Sequence, residues 1–349
     1  MKKALIISLL IATIGFLGAI LYMILTPDGN KVINPLVEEV EQEVFPLNKY
    51  SFDNLSQSEF NGNQIEIGEK IDEEIDEIDL YIFYFYDQDP QDANNLKKVS
   101  GLLTVPAKEG NYPVIVQFRG YVDREIYETG IGTRPSATEF ARNGFITLSP
   151  DFLGYGKSDM PSQYPIEERF QTYSTSLSLL ASLKNLNKAF DRKEASQSAD
   201  ISRLGLWGHS NGGHIALSVL AVTTENIPTV LWAPVTKPFP YSILYFTDEF
   251  ADEGKALRKV VSDFERDYDV FDFSPTGYYG RMTASLQIHQ GTADDAVPLA
   301  WTNEFVEKLD ELEIENEYFV YPGADHDLRG GWDEAVLRSI DFYREELEL

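Results

Sequence analysis

The stretch Arg203-Leu-Gly-Leu-Trp-Gly-His-Ser-Asn-Gly-Gly213 constrains this chain more than any other. An apolar strand pattern ends at Trp207, a G-x-S-x-G core follows, and a run of small and apolar residues continues as a helix pattern. A strand that turns at once into a helix leaves no room for side chains two positions before and two after the serine, and both positions are glycine. Ser210 is thereby expected at the exposed tip of the turn, as a nucleophile. The N–H of Asn211, at the start of the helix, is expected to point at the same place, where it can donate to an oxyanion.

The surrounding pattern repeats strand and helix. Val99 to Val105, Val114 to Phe118, Phe145 to Ser149, Leu204 to Trp207, Val230 to Trp232, Leu286 to His289 and Tyr318 to Tyr321 read as strands. Ser136 to Asn143, Ile166 to Asn187, Gly212 to Val222 and Trp332 to Leu347 have helical apolar spacing. Such alternation predicts a mostly parallel, twisted sheet with helices on both faces. Segment 236–280 interrupts it and is too long for an ordinary loop. Its aromatics, among them Phe239, Tyr241, Tyr245, Phe264 and Phe273, suggest a cap insertion over the serine that forms the acyl pocket.

A serine hydroxyl needs a base, and the base needs an orienting acid. The chain has 4 histidines. His209 adjoins the serine inside the turn and is expected to point elsewhere; His214 lies on the following helix, where packing is expected; His289 ends a strand. His326, in the polar loop Pro322-Gly-Ala-Asp-His-Asp327 after a strand, is the expected base. Between them, Gly291-Thr-Ala-Asp-Asp295 follows a strand and offers two adjacent carboxylates, Asp294 preferred and Asp295 second. A second oxyanion donor is expected after the strand Val114 to Phe118, from the backbone N–H of Tyr121, or from its hydroxyl. Competing motifs fail: Gly154-Tyr-Gly-Lys-Ser158 has Asp151 where a phosphate loop needs its first glycine, and no H-E-x-x-H is present.

The N-terminus carries a separate signal. Lys2 and Lys3 precede an uncharged, mostly apolar run from Ala4 to Thr26, which at about 1.5 Å per residue is long enough to cross a bilayer core of roughly 30 Å. Residues 1–27 therefore read as a transmembrane signal anchor, 28–63 as a tether and 64–349 as the catalytic domain. By the positive-inside rule that domain lies outside the cytoplasm. A cleaved signal and secretion is the alternative. The formal net charge of −28 makes nucleic acid a poor partner, and the absence of cysteine excludes disulfides and thiolate catalysis.

On these motifs the sequence resembles α/β-hydrolases and, within them, the catalytic domain of the prolyl oligopeptidase family. The stretches that carry the likeness are Phe118-Arg-Gly-Tyr121, Ser149-Pro-Asp-Phe-Leu-Gly-Tyr-Gly-Lys-Ser158, Leu206-Trp-Gly-His-Ser-Asn-Gly-Gly213, His289-Gln-Gly-Thr-Ala-Asp-Asp-Ala-Val-Pro298 and Gly323-Ala-Asp-His326. The resemblance implies hydrolysis through an acyl-enzyme, no cofactor, and the first aspartate, Asp294, as the catalytic acid. It favours a serine peptidase acting on small peptides. About 50 residues separate the apolar run from the strand at Leu80, too few for propeller blades of about 40–45 residues each. Arg119 also stands where many relatives carry histidine. A carboxylic-ester hydrolase, of acetyl or feruloyl esterase type, is accordingly the alternative. Neither the acyl specificity nor the oligomeric state is legible.

Overall fold

A computed structural model describes residues 45–71 and 75–349. The apolar runs form strands β1 (Glu66–Lys70), β2 (Ile78–Asp89), β3 (Asp92–Pro106), β4 (Gly110–Phe118), β5 (Ile146–Pro150), β6 (Gln197–His209), β7 (Thr229–Trp232), β8 (Leu286–Gly291) and β9 (Asn316–Tyr321). They join in one sheet of order β1-β2-β3-β5-β4-β6-β7-β8-β9. The first three neighbouring pairs are antiparallel and all the others parallel. Central strands are apolar on both faces because both are covered: Val114, Ile115, Val116 and Phe118 are all fully buried.

The helices are α1 (Phe52–Gln57), α2 (Arg134–Arg142), α3 (Pro165–Ser182), α4 (Leu186–Arg192), α5 (Asn211–Thr223), α6 (Tyr241–Leu244), α7 (Lys255–Glu265), α8 (Leu299–Glu311) and α9 (Trp332–Glu346). The helical pattern at 166–187 proves to be two helices, broken by a short 3-10 turn at Leu183–Asn185.

Two expectations need correction. The chain from Phe45 belongs to the compact unit that runs to Leu349, so residues 45–63 are no tether. Ser51 caps α1 by accepting from the Asn54 N–H at 3.4 Å, and Phe52 is buried against the rings of Tyr173 and Tyr278. Burying Tyr50, Phe52 and Leu55 ties this segment into the main core. Insertion 236–280 is helical, as expected for a segment with structure of its own. Three of its aromatics, however, fill the core: Phe239, Phe264 and Phe273 surround Phe170 of α3 at ring distances of 5.4, 5.5 and 4.8 Å. The anchor at 1–27 and the first part of the tether, 28–44, lie outside the described residues. Among the described residues no helix is long and apolar enough to cross a membrane.

Candidate active site

Strand β6 ends at His209 and α5 begins at Asn211, leaving Ser210 alone in the turn with φ 56° and ψ −121°. A non-glycine residue held there stores backbone strain, which persists only where neighbours over-determine it. The neighbours here are close. A Cβ on Gly208 would stand 2.6 Å from the Gly212 carbonyl oxygen, and one on Gly212 would stand 1.9 Å from that of Phe118.

His326, in the loop between β9 and α9, turns Nδ1 to Asp294, at 2.9 Å from Oδ2 and 3.1 Å from Oδ1. The Asp294 side chain is fully buried. It also accepts from the N–H groups of Ala296 and Val297, at 2.9 and 2.8 Å, and from the Gln290 amide at 2.9 Å. Burial opposes its charge, but the His326 hydrogen bond and these donors outweigh burial and hold the carboxyl below its ordinary value. It is therefore ionised at neutral pH, and it fixes the His326 tautomer with the proton on Nδ1 and a free Nε2. Asp295 is exposed and makes no such contact. Ser210 and His326 line the same cavity. Among the described residues, none makes a hydrogen bond with the Ser210 hydroxyl; such contacts often tighten only when substrate binds.

Two peptide planes lie beside Ser210. Gly120 lies against it, since a Cβ there would be 3.0 Å from that of Ser210. The Gly120 carbonyl accepts from Arg119 Nη1 at 2.9 Å. In a trans peptide the C=O and the following N–H point in opposite directions, so this bond fixes where the Tyr121 N–H points. The Ser210 carbonyl is anchored in the same manner, by the N–H groups of Gly213 and Val235, both at 3.0 Å, which fixes the Asn211 N–H. Among the described residues, no backbone carbonyl takes up either N–H. The Tyr121 hydroxyl turns away onto Asp123 at 2.9 Å, which leaves the backbone as this residue's contribution. Arg119 is itself buried, with its guanidinium over the rings of Tyr155 and Tyr127 at 4.1 and 4.6 Å.

The other histidines are structural. His214 Nδ1 donates to the Val235 carbonyl at 3.3 Å while Nε2 faces the Tyr173 hydroxyl at 3.1 Å. His289 lies between Tyr321 and Gln287. Burial pushes both rings down to about 3, so both are neutral. His209 donates Nε2–H to the His326 backbone carbonyl at 3.0 Å, and burial followed by the neighbouring His326 ring lowers it to about 4.

The cavity beside Ser210 holds about 510 Å³. Its apolar walls come from Trp207, Trp232, Trp332, Ile131 and Pro135, with Asp327 and Arg329 also on its lining. No residue of 236–280 lines it, so the expectation that the insertion forms the acyl pocket does not hold for this cavity. The insertion reaches the elbow elsewhere: Arg169 of α3 bridges Asn211 and Ser242. Sequence reading missed Arg169, Gln290 and the tryptophan walls, because helical or strand periodicity describes each of them as packing. Among the described residues, no group of three or more His, Asp or Glu side chains converges as a metal site.

The sequence profile of the prolyl oligopeptidase family matches residues 181–348, and that of chlorophyllase matches residues 82–232. A Schizosaccharomyces pombe protein provisionally named a dipeptidyl aminopeptidase is 26% identical over 140 residues, 40% of this chain; the aligned part spans only 16% of that protein's length. A Synechocystis protein provisionally named a carboxymethylenebutenolidase is 19% identical over 245 residues, 67% of this chain and 82% of that protein. The acetyl xylan esterase from Paenibacillus sp. R4 superposes with a TM-score of 0.59 at 17% identity, covering 86% of this chain and 95% of its own. At that identity the superposition shows a shared fold.

Proposed function

The chain is a hydrolase of the α/β-hydrolase fold that resembles the catalytic domain of the prolyl oligopeptidase family, and on that premise we propose that it cleaves carboxylic esters through Ser210, His326 and Asp294. The observation that carries this reading is the fully buried, multiply bonded Asp294 at 2.9 Å from His326 Nδ1, with Ser210 and His326 on one cavity. In this reaction His326 Nε2 takes the Ser210 proton as Oγ attacks the ester carbonyl. The developing oxyanion is met by the N–H groups of Tyr121 and Asn211. The tetrahedral adduct expels the alcohol, which leaves with the proton held by His326. Water, deprotonated by the same ring, then releases the acid and restores the serine.

Ester cleavage is preferred over amide cleavage on physical grounds. An amide needs its leaving nitrogen protonated in the transition state and the peptide held in register. The lining of the cavity beside Ser210 is dominated by apolar side chains rather than by a ladder of peptide-binding groups. The peptidase reading keeps two supports, the family profile over 181–348 and the 26% identity to a provisionally named dipeptidyl aminopeptidase over 140 residues. A panel of matched esters and aminoacyl amides, compared by kcat/KM, separates the two. Efficient ester turnover with no amide turnover is expected, and amide turnover of equal efficiency would favour the peptidase.

The apolar run at 4–26 supports placing this domain outside the cytoplasm on a membrane anchor. Retention in the membrane fraction after a salt wash, with cleavage by protease added to intact cells, is the expected behaviour. Release into the medium would contradict the anchor.

A further inference from the structure

Among the described residues, Arg169 is a cation with no counter-ion. Its Nη1 reaches Asn211 Oδ1 at 3.4 Å and its Nη2 reaches Ser242 Oγ at 3.5 Å, both neutral acceptors at the outer limit of hydrogen bonding. Its Nε is buried and has no hydrogen-bond partner among the described residues. The Tyr173 hydroxyl acts on it, but that hydroxyl's own proton is held tightly by burial. A guanidinium stays protonated in a protein, so the charge is kept although desolvation works against it. Arginines taken out of water are normally paired, because an unpaired buried charge is strongly destabilising. An arrangement of this kind, kept beside a nucleophile, asks for an anion that arrives from outside.

The position gives the anion access. Asn211 follows Ser210 directly, so the guanidinium is one side chain from the reacting serine. The Arg169 side chain is partly exposed. Ser242 belongs to α6, whose neighbouring Tyr241 and Tyr245 are 47% and 40% exposed and stand against Trp301 at 5.7 and 4.6 Å. Neither Arg169 nor Asn211 lines the tryptophan-walled cavity. A substrate therefore has two separate places beside Ser210, one apolar and one cationic.

Resting on the ester-hydrolase reading, we propose that Arg169, with Asn211 and Ser242, is a carboxylate-binding subsite, and that this enzyme takes esters bearing a free carboxylate on the part of the substrate that lies outside the tryptophan cavity. The guanidinium fork suits a carboxylate in two-point contact, and the two weak bonds to Asn211 and Ser242 are readily exchanged for it. The surface as a whole, at a net charge of −28, repels anions, so any preference for an anionic ester must come from a local site.

Two matched pairs test this in the full chain: 4-nitrophenyl butyrate against the 4-nitrophenyl monoester of glutaric acid, and phenyl acetate against 4-acetoxybenzoate. The charged-to-neutral ratio of kcat/KM is expected to fall roughly tenfold or more in Arg169→Met for at least one pair, with Arg169→Lys between that variant and the wild type. Which pair responds tells whether the carboxylate sits on the acyl or the alcohol part. Thermal shift with benzoate against benzamide reads the subsite without turnover. Benzoate should stabilise the wild type and not Arg169→Met, and benzamide should stabilise neither. Equal ratios in wild type and Arg169→Met for both pairs, or benzoate and benzamide acting alike on the wild type, would overturn the subsite. Absence of turnover for all four esters would count against the hydrolase reading instead, and the benzoate measurement would still decide this one. If Arg169→Met fails to fold, Arg169→Lys and the wild-type benzoate titration carry the same decision.

Discussion

His209 donates its Nε2–H to the backbone carbonyl of His326 at 3.0 Å, and the two rings lie 4.7 Å apart. The residue before Ser210 thus holds the loop that carries His326. His209→Phe removes the donor and keeps the ring, so kcat should fall by about 5- to 30-fold, the worth of one or two kcal/mol, with KM little changed. His209→Gln, whose amide nitrogen reaches the Nε2 position, should recover most of the loss. Steady-state kinetics on both variants checks this, and equal loss in the two would reduce His209 to packing.

Arg119 acts through the Gly120 carbonyl. Arg119→Met frees that peptide plane, and with it the direction of the Tyr121 N–H. A loss of roughly 10- to 100-fold in kcat is expected, since a charge-assisted bond is removed from the oxyanion turn. Arg119→Lys, which keeps the cation, should recover part of it. The rate of phosphonylation should fall in parallel with kcat, because that adduct uses the same donors. An unchanged phosphonylation rate would separate Arg119 from the oxyanion turn.

Asp294→Asn keeps shape but leaves an amide that can no longer hold the Nδ1 proton and accept from it as a carboxylate does. A fall of roughly 10³- to 10⁴-fold in kcat is expected. Asp295→Asn, at an exposed position, should stay within about 2-fold. Comparable losses in the two variants would contradict the assignment.

Asp87 is buried, with Oδ1 unpartnered, and burial pushes its carboxyl from 3.8 up to about 7. Ser174 and Thr175 face it and pull the other way, as does the charge of Lys97, while Asp89 adds to the rise. A raised folded pKa means the native state holds a proton that the unfolded chain releases above 3.8. The stability this contributes is complete below that value and is lost as pH rises through about 7. Asp87→Asn should accordingly be more stable than the wild type at pH 8, by roughly 4 kcal/mol at most, and the gap should close by pH 4. Thermal melts at both pH values check the sign; a gap that does not narrow on acidification would refute it.

Much of this was legible in the sequence because the elbow depends on local chemistry. Glycines at 208 and 212 and a strand-to-helix switch leave a serine only one place to go. Asp294 and His326 followed because each closes a strand at a polar loop. The N-terminal segment reads as a tether for a related reason: Leu47, Tyr50, Phe52 and Leu55 are too few to show periodicity, and only tertiary packing, such as that of Phe52 on Tyr173 and Tyr278, makes them part of the core. Helix α8 went unseen among the charges of 299–311, although Trp301, Phe305 and Leu309 bury one face of it. Arg169 was invisible in principle, since what distinguishes it is the lack, among the described residues, of a counter-ion from distant parts of the chain.

Labelling with a fluorophosphonate, followed by peptide mass spectrometry, tests the central claim most directly. The account predicts one phosphonyl group on Ser210, no labelling of Ser210→Ala, and loss of ester turnover in step with labelling. Full turnover by Ser210→Ala, or a label on another residue that accompanies inactivation, would contradict it.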